Sequence, residues 1–263
     1  MRDVCRLVCL NIDGGVHRPA LLDFLARHRD ADLFCFQEVF SSAGDLVVGE
    51  PWGAVTTHEE LQRALPGHQG LFFPAVGWAE SDWASAPGGH GLALFVRRDL
   101  AIVDVRASLV HGDPARFDPR VRGTLPRNLA AVVVAGPGGP LGVATFHGLW
   151  TPDKGDTAER LAQSAAVNRL IRAWLPDRHV LCGDFNLRPD TRSLALLADG
   201  RRDLVHELGI PGTRSRLHRS AERYADYVMV GGPIAVDDFA VPDEVCSDHL
   251  PLFASLRLCR DAR

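Results

Sequence analysis

At 263 residues, with 29 basic against 33 acidic side chains and a formal charge of −4, the chain lacks the overall basic surplus with which duplex-DNA binders neutralise phosphates. A hydrophobic fraction of 46% and a charged fraction of 24% exclude disorder and fibrous repeats. A compact chain of this length buries roughly 70–75% of its unfolded surface, and a single domain over residues 1–263 is expected.

Leu7–Leu10 is a short apolar run that stops at Asn11 and the turn signal Asp13-Gly14-Gly15. Pro19 opens a helical pattern (Leu21, Leu22, Leu25) ending near His28. Leu33–Phe36 reads as a second buried strand and runs into Gln37-Glu38. Thr57-x-x-Glu60 is a capping pattern before a short helix with Leu61 and Leu65 on one face. Gly91–Val96 and Ile102–Val110 read as strands, followed by a polar loop to Arg127.

Leu129–Ala135 and Leu141–Phe146 form a strand pair around the turn Gly136-Pro137-Gly138-Gly139-Pro140. Asp156-x-x-Glu159 is expected to cap a long amphipathic helix through Trp174. His179–Cys182 is another strand, and Asp190 or Thr191 caps a helix carrying Leu194, Leu196 and Leu197. Tyr227–Val230, Val236–Phe239 and Leu252–Leu258 complete a β-rich second half. Many strands, few helices and hairpin turns in the middle favour a mixed-sheet α/β sandwich.

Six cysteines (Cys5, Cys9, Cys35, Cys182, Cys246, Cys259) lie mostly among apolar residues and form no C-x-x-C pair, so they read as buried reduced thiols. No segment approaches the ~18 apolar residues of a membrane span, and no signal-like stretch follows Met1. A cytoplasmic protein without a stable membrane anchor is expected.

The chemistry is suggested by position. Several apolar strands end in acidic, amide or imidazole side chains: Asn11, Glu38, His147, Asp184 with Asn186, Asp226, and Asp248-His249. Strand ends are rigid supports, and binding residues gather just beyond them. Glu38 and Asp248 are hard anionic ligands and Asn11 offers a carbonyl oxygen, a mixture suited to Mg²⁺ or Mn²⁺. Such a cation polarises a phosphoryl oxygen. Asp184 can orient and deprotonate an attacking water, while Asn186, His147 and His249 donate hydrogen bonds to phosphoryl oxygens.

Asn11, Gln37-Glu38, Gly183-Asp184-Phe185-Asn186, Asp226-Tyr227 and Ser247-Asp248-His249 occur in the order used by the endonuclease/exonuclease/phosphatase (DNase I-like) superfamily, which the chain resembles from residue 11 to 249. The resemblance implies a four-layer αββα sandwich of two mixed β-sheets flanked by helices, with the site at one edge. It also implies Glu38 as principal metal ligand, with Asn11 and Asp248 as further or water-mediated ligands. Asp184 then positions the water, Asn186 contacts phosphate, His249 binds phosphate and Asp226 orients its ring. His147 resembles the second histidine of the DNase I-like and sphingomyelinase branches. The chain departs from common members in Leu10-Asn11 and in Tyr224-Ala225-Asp226-Tyr227, which has no arginine two residues before the aspartate.

Bland readings compete. Asp184-Phe185-Asn186 alone could be a turn, Glu38 a solvated strand end, and Asp226 a local cap. Arg127, Arg214 and Arg216 are candidate phosphate contacts because guanidinium forks match phosphate oxygens. Arg214, Arg216, His218, Arg219 and Arg223 form the only dense basic stretch, for which a solvated loop is the ordinary state. Trp150 is either a stacking platform for a base or sugar or a core anchor. His90, His111 and His206 fit structural or surface roles. The expected activity is metal-dependent hydrolysis of a phosphodiester or phosphomonoester in a small molecule, a nucleotide or a single-stranded nucleic acid. The alternative is a catalytically silent scaffold that binds nucleic acid or protein.

Overall fold

The computed structural model describes residues 4–42, 57–77, 88–118, 120–136 and 139–258. In chain order, the first half contributes β1 (Val4–Asn11), α1 (Arg18–His28), β2 (Leu33–Ser42), α2 (Thr57–Ala64), β3 (His68–Gly77), β4 (Gly88–Arg97), β5 (Ile102–His111) and β6 (Arg127–Val134). The second contributes β7 (Leu141–Phe146), α3 (Ala158–Trp174), β8 (His179–Asp184), α4 (Arg192–Ala198), β9 (Arg201–Asp203), α5 (Leu204–Glu207), β10 (Asp226–Gly231), β11 (Ile234–Ala240) and β12 (Leu252–Leu258). These strands form two six-stranded sheets, ordered β11-β12-β1-β2-β4-β3 and β5-β6-β7-β8-β10-β9.

Period-two alternation along the strands produces the layers. In β1, Leu7 and Cys9 face the second sheet, while Val8 and Leu10 face the helices. In β2, Leu33 and Cys35 point inward, and Phe34 and Phe36 pack with Leu21, Phe24 and Leu25 of α1 and Leu61 of α2. On the far side, Val167 and Ile171 of α3 and Leu194 and Leu197 of α4 cover the second sheet. β6, β7 and most of β8 are buried on both faces, which is why they read as unbroken Val, Leu and Ala runs. The expected α/β sandwich of two mixed sheets is the fold observed.

The strand directions build an edge for chemistry. β1 and β2 are parallel, as are β7 and β8, while their other neighbours run antiparallel. β1 ends at Asn11, β7 at Phe146 just before His147, and β8 at Asp184. β2 does not end at Glu38 as the sequence suggested but runs on to Ser42, and its ladder with β1 stops at Gln37, next to Glu38. Arg127 and Asp226 begin antiparallel strands at that same edge, and Asp226 pairs directly with Asp184. Below it, Gln37 donates from Nε2 to Thr145 Oγ1 at 2.9 Å and to the Cys35 carbonyl at 3.2 Å, tying β2 to β7 across the sandwich.

Several local expectations are corrected. Asp156 does not cap α3; Thr157 does, accepting from Arg160 N–H at 3.2 Å, because its extended backbone immediately precedes the first helical turn. The Asp156 carboxylate reaches the start of α4 instead, accepting from Arg192 N–H at 2.8 Å and Ser193 N–H at 2.9 Å. Thr191, not Asp190, caps α4. The Thr57 hydroxyl bonds to the backbone of Phe40 in β2 and anchors α2 to the sheet. β3 was not read from the sequence because Gly70 and Pro74 interrupt its apolar run. Pro74 is tolerated since β3 is an edge strand with a register shift between Pro74 and Val76. Pro137 and Gly138 of the expected hairpin turn and Cys259 lie outside the described residues.

The loops leaving β7 and β8 pack backbone against backbone. A Cβ on Gly148 would fall on the carbonyl of Phe185, and Gly148 N–H donates to the Asp184 carbonyl at 2.7 Å. The fully buried Arg160 binds both loops. It donates to the carbonyls of Gly155 (2.8 Å), Leu149 (2.7 Å) and Asn186 (2.6 Å). Arg160→Met removes these charge-assisted bonds and leaves three carbonyls without their donor, so a loss of about 3–5 kcal/mol is expected in denaturant unfolding. A loss under about 1 kcal/mol would overturn the clamp.

Candidate active site

The edge is built with strained backbone. Among the described residues, the non-glycine residues with positive φ are Asp13 (50°), Glu38 (57°), Lys154 (53°) and Asn186 (55°). Each costs of order 1–3 kcal/mol unless its surroundings enforce it, less for Asn and Asp, and such residues concentrate at functional sites. Glu38 lies where the β2–β4 register shifts between Phe36 and Val39. The shift breaks strict alternation: Gln37 turns inward to Thr145 and Glu38 faces the cleft beside Asn11.

Asn11 is the hinge of the arrangement. Its Nδ2 donates to Glu38 Oε1 and to Asp184 Oδ2, both at 3.0 Å, while its Oδ1 accepts from Asp13 N–H at 3.0 Å. Asp184 Oδ1 accepts from Asn186 N–H at 2.9 Å. The Nε2 atoms of His147 and His249 lie 3.4 and 3.6 Å from Asp184 Oδ2. Burial alone would raise the Asp184 carboxyl. His249, His147, Arg214 and Lys154 together outweigh it and hold the group well below the usual carboxylate range.

His249 Nδ1 lies 2.8 Å from both oxygens of Asp226, whose own N–H donates to Thr213 Oγ1 at 3.1 Å. Burial and the Arg214 guanidinium oppose a charged ring, but the carboxylates of Asp226, Asp248 and Asp184 prevail and raise His249 to about 9. His147 behaves oppositely, pushed well below its ordinary value by burial and by Arg127.

Three carboxylates gather on the other side of Asn11. Burial, then the charges of Asp248 and Glu38, pushes Asp13 up to about 7. Arg214 feels the charges of Asp184, Asp226, Asp248 and Glu38 together. Carboxylates that repel one another in this way are the kind of oxygen donor that a hard divalent cation would accept. Ligand atoms of Glu38, His147 and Asp184 also lie within 4.8 Å of one another, as do those of Asp184, Asp226 and His249. The second of these groups already shares a hydrogen bond, and the Asn11 amide bridges the carboxylates of the first.

Of the arginines considered from the sequence, Arg127 is buried, with its Nε lacking a partner among the described residues. Arg214 donates to Asp248 Oδ2 at 3.2 Å and touches His249 Nε2. Arg216, Arg219 and Arg223 are exposed, and only His218 of that stretch joins Arg214 inside, with Nδ1 3.1 Å from Asp248 Oδ2. Trp150 is half-buried with Lys154 Nζ 5.5 Å above its ring. His90 is buried near Arg127 and lowered to about 3, chiefly by burial. His111 is half-buried and His206 exposed.

Sequence reasoning missed Asp13, Lys154, His218 and Arg160. Asp13 was legible as a carboxylate two residues beyond Asn11 at the same strand end. Lys154 carried a compositional signal, being the only lysine in the sequence. Its Nζ bonds to Asn186 Oδ1, and burial lowers its ammonium to about 8. Nothing local marks Arg160, and His218 stood out only as a member of the basic stretch; their partners are carbonyls and a carboxylate brought in by tertiary structure.

The fold is shared with solved structures. A mannosyl-6-phosphatase from Bacteroides thetaiotaomicron VPI-5482 superposes with TM-score 0.71 at 17% identity, covering 97% of this chain and 100% of that one. TDP2 of D. rerio, complexed with a single-strand DNA product, gives 0.69 at 16% identity over 98% and 100% of the two chains. The human Nocturnin catalytic domain with bound sulfate gives 0.66 at 19% identity over 96% and 93%. No curated protein matches the sequence. The sequence profile of the Endonuclease/Exonuclease/phosphatase family matches residues 8–249, nearly the whole chain, and the protein belongs to that family.

Proposed function

We propose that the protein is a phosphoesterase dependent on Mg²⁺ or Mn²⁺, hydrolysing a phosphodiester or phosphomonoester by in-line attack of a water that Asp184 orients. The observation that carries this reading is the shell around Asp184, an almost fully buried carboxylate that accepts from Asn11 Nδ2 at 3.0 Å and from Asn186 N–H at 2.9 Å, with the Nε2 atoms of His147 and His249 3.4 and 3.6 Å away; the basic groups nearby keep it ionised. A carboxylate held so low is a weak base. It suffices because phosphoryl transfer runs through a loose transition state, in which the nucleophile needs positioning more than early deprotonation. An arriving phosphate also offsets the positive field and moves Asp184 back toward proton-accepting strength.

His249, charged at neutral pH and fixed through Nδ1 by Asp226, donates from Nε2 to a phosphoryl oxygen. Neutral His147, whose Nε2 lies by the same Asp184 oxygen, is a second donor. Arg127 and Arg214 contribute guanidinium donors, and Asn186 holds Asp184 through its backbone N–H. Glu38, Asn11 and Asp248, with the Asp13 carboxylate beside them, would hold the divalent cation; when bound, the ion would polarise a phosphoryl oxygen and stabilise the leaving oxygen. Trp150 supports Lys154 rather than standing free to stack on a base.

Sugar phosphate and single-stranded DNA, the groups named for two structural relatives, bracket the substrates considered. Among the described residues no helix is long and apolar enough to cross a membrane, and Cys5, Cys9, Cys35, Cys182 and Cys246 are free thiols. The free thiols suit the reducing compartment of the cytoplasmic reading.

With Mg²⁺ or Mn²⁺ the protein is expected to hydrolyse p-nitrophenyl phosphate or its bis ester, and EDTA to abolish the reaction. Asp184→Asn should lower kcat by about 10³-fold and His249→Ala by about 10²–10³-fold. Wild-type rates in both variants would remove the assigned roles. The pH profile has a defined sign. His249, raised to about 9, keeps its proton below that value and loses it above, so kcat/KM should fall as pH rises through about 9. An alkaline limb that His249→Asn leaves in place would assign it elsewhere.

A further inference from the structure

The sequence contains 28 arginines and one lysine, and that lysine is buried in the cleft. Every other permanently charged cationic side chain is a guanidinium, so Lys154 marks a place where a guanidinium does not serve. An ammonium is a compact point charge whose three donors rotate freely, whereas guanidinium is a broad planar fork. The backbone is bent to deliver it: Lys154 sits at φ 53°, a left-handed conformation that Lys seldom adopts. Its aliphatic stem is buried, the Trp150 ring lies beneath Nζ, and Arg188 N–H donates to its carbonyl at 3.2 Å. Among the described residues, Nζ spends one hydrogen on Asn186 Oδ1 and keeps two. Asn186 Nδ2 is turned to the Gly148 carbonyl at 3.2 Å, so Asn186 fixes the ammonium more than it replaces it.

What the free hydrogens serve follows from the neighbours. The carboxylate acting most strongly on Lys154 is Asp184, and Arg214, Arg160 and Arg127 repel it. Three cations, Lys154, Arg127 and Arg214, thus surround the carboxylate that would orient the water, with the Nε atoms of both arginines unpartnered among the described residues. A diester phosphate carries a single negative charge and two non-bridging oxygens, one of which a metal would take. A terminal phosphate carries up to two charges and three such oxygens. The supply of donors and positive charge matches the terminal group.

We propose that Lys154 binds a non-bridging oxygen of the scissile phosphate, and that the group it selects is the terminal phosphate of a monoester. The proposal rests on the phosphoesterase reading above and narrows it. Because the protein has one lysine, labelling with [ε-¹³C]lysine yields one side-chain resonance that needs no assignment. Titrating the Mg²⁺-loaded wild-type protein with inorganic phosphate is expected to move that resonance saturably, and an unmoved resonance at saturating phosphate overturns the proposal.

Activity supplies the second readout. Lys154→Arg and Lys154→Met are expected to lower kcat/KM on both esters, with a loss on p-nitrophenyl phosphate at least about 10-fold larger than on the bis ester and unfolding midpoints near wild type. Equal losses on the two esters, or a Lys154→Arg variant that keeps wild-type monoester activity, overturn the selectivity. If wild type hydrolyses neither ester while the lysine resonance still responds to phosphate, the phosphoesterase reading fails and Lys154 stands as an anion ligand.

Discussion

Keeping the Asp184 carboxylate ionised in a nearly dry setting is the constraint on which the cleft depends. Burying an isolated carboxylate would neutralise it, because desolvation disfavours the charged form. The protein prevents this with polar partners drawn from distant stretches: the Asn11 amide, the Asn186 backbone, two imidazoles and a lysine and arginine close by. Each partner must then be held in turn. Asp226 and Thr213 secure His249, Ser247 Oγ accepts from His249 N–H at 3.2 Å, and that same hydroxyl donates to the Asn11 carbonyl at 2.7 Å. The network closes on itself, with no member that can move independently.

The same logic explains where backbone strain is tolerated. Left-handed residues at Asp13, Glu38, Lys154 and Asn186 are affordable because β-ladders buried on both faces meet immediately behind them. A register shift in β2 swings Glu38 toward solvent while Gln37 stays in the core. One irregularity therefore produces both a carboxylate beside Asn11 and a polar tie between the sheets.

How much of this was legible depended on whether a residue's reason was local. Strands such as Leu141–Phe146 and Leu252–Leu258 have an apolar pattern bounded by turn residues, and their limits were read without error. β3 was missed because Pro74 and Gly70 break the pattern, and the edge position that makes them acceptable is a tertiary fact. The Asp156 error is of the same kind: its sequence neighbour is α3, but its carboxylate serves α4. Among site residues, those at strand ends announced themselves. Lys154 lies in a loop and was visible only as a compositional oddity, while Arg160 resembles any charged residue in a helix until its burial is known.

The division of the cleft between the two sheets has a mechanical consequence. Asn11 and Glu38 belong to one, His147, Asp184 and Asp226 to the other, and the Gln37–Thr145 bond is a rivet between them. Sliding the layers past each other by about 1 Å would tear the Asn11–Asp184 link while sparing every ladder within each sheet. Competence is thus more fragile than secondary structure, and on warming the molecule should fall silent while its far-ultraviolet spectrum still looks native.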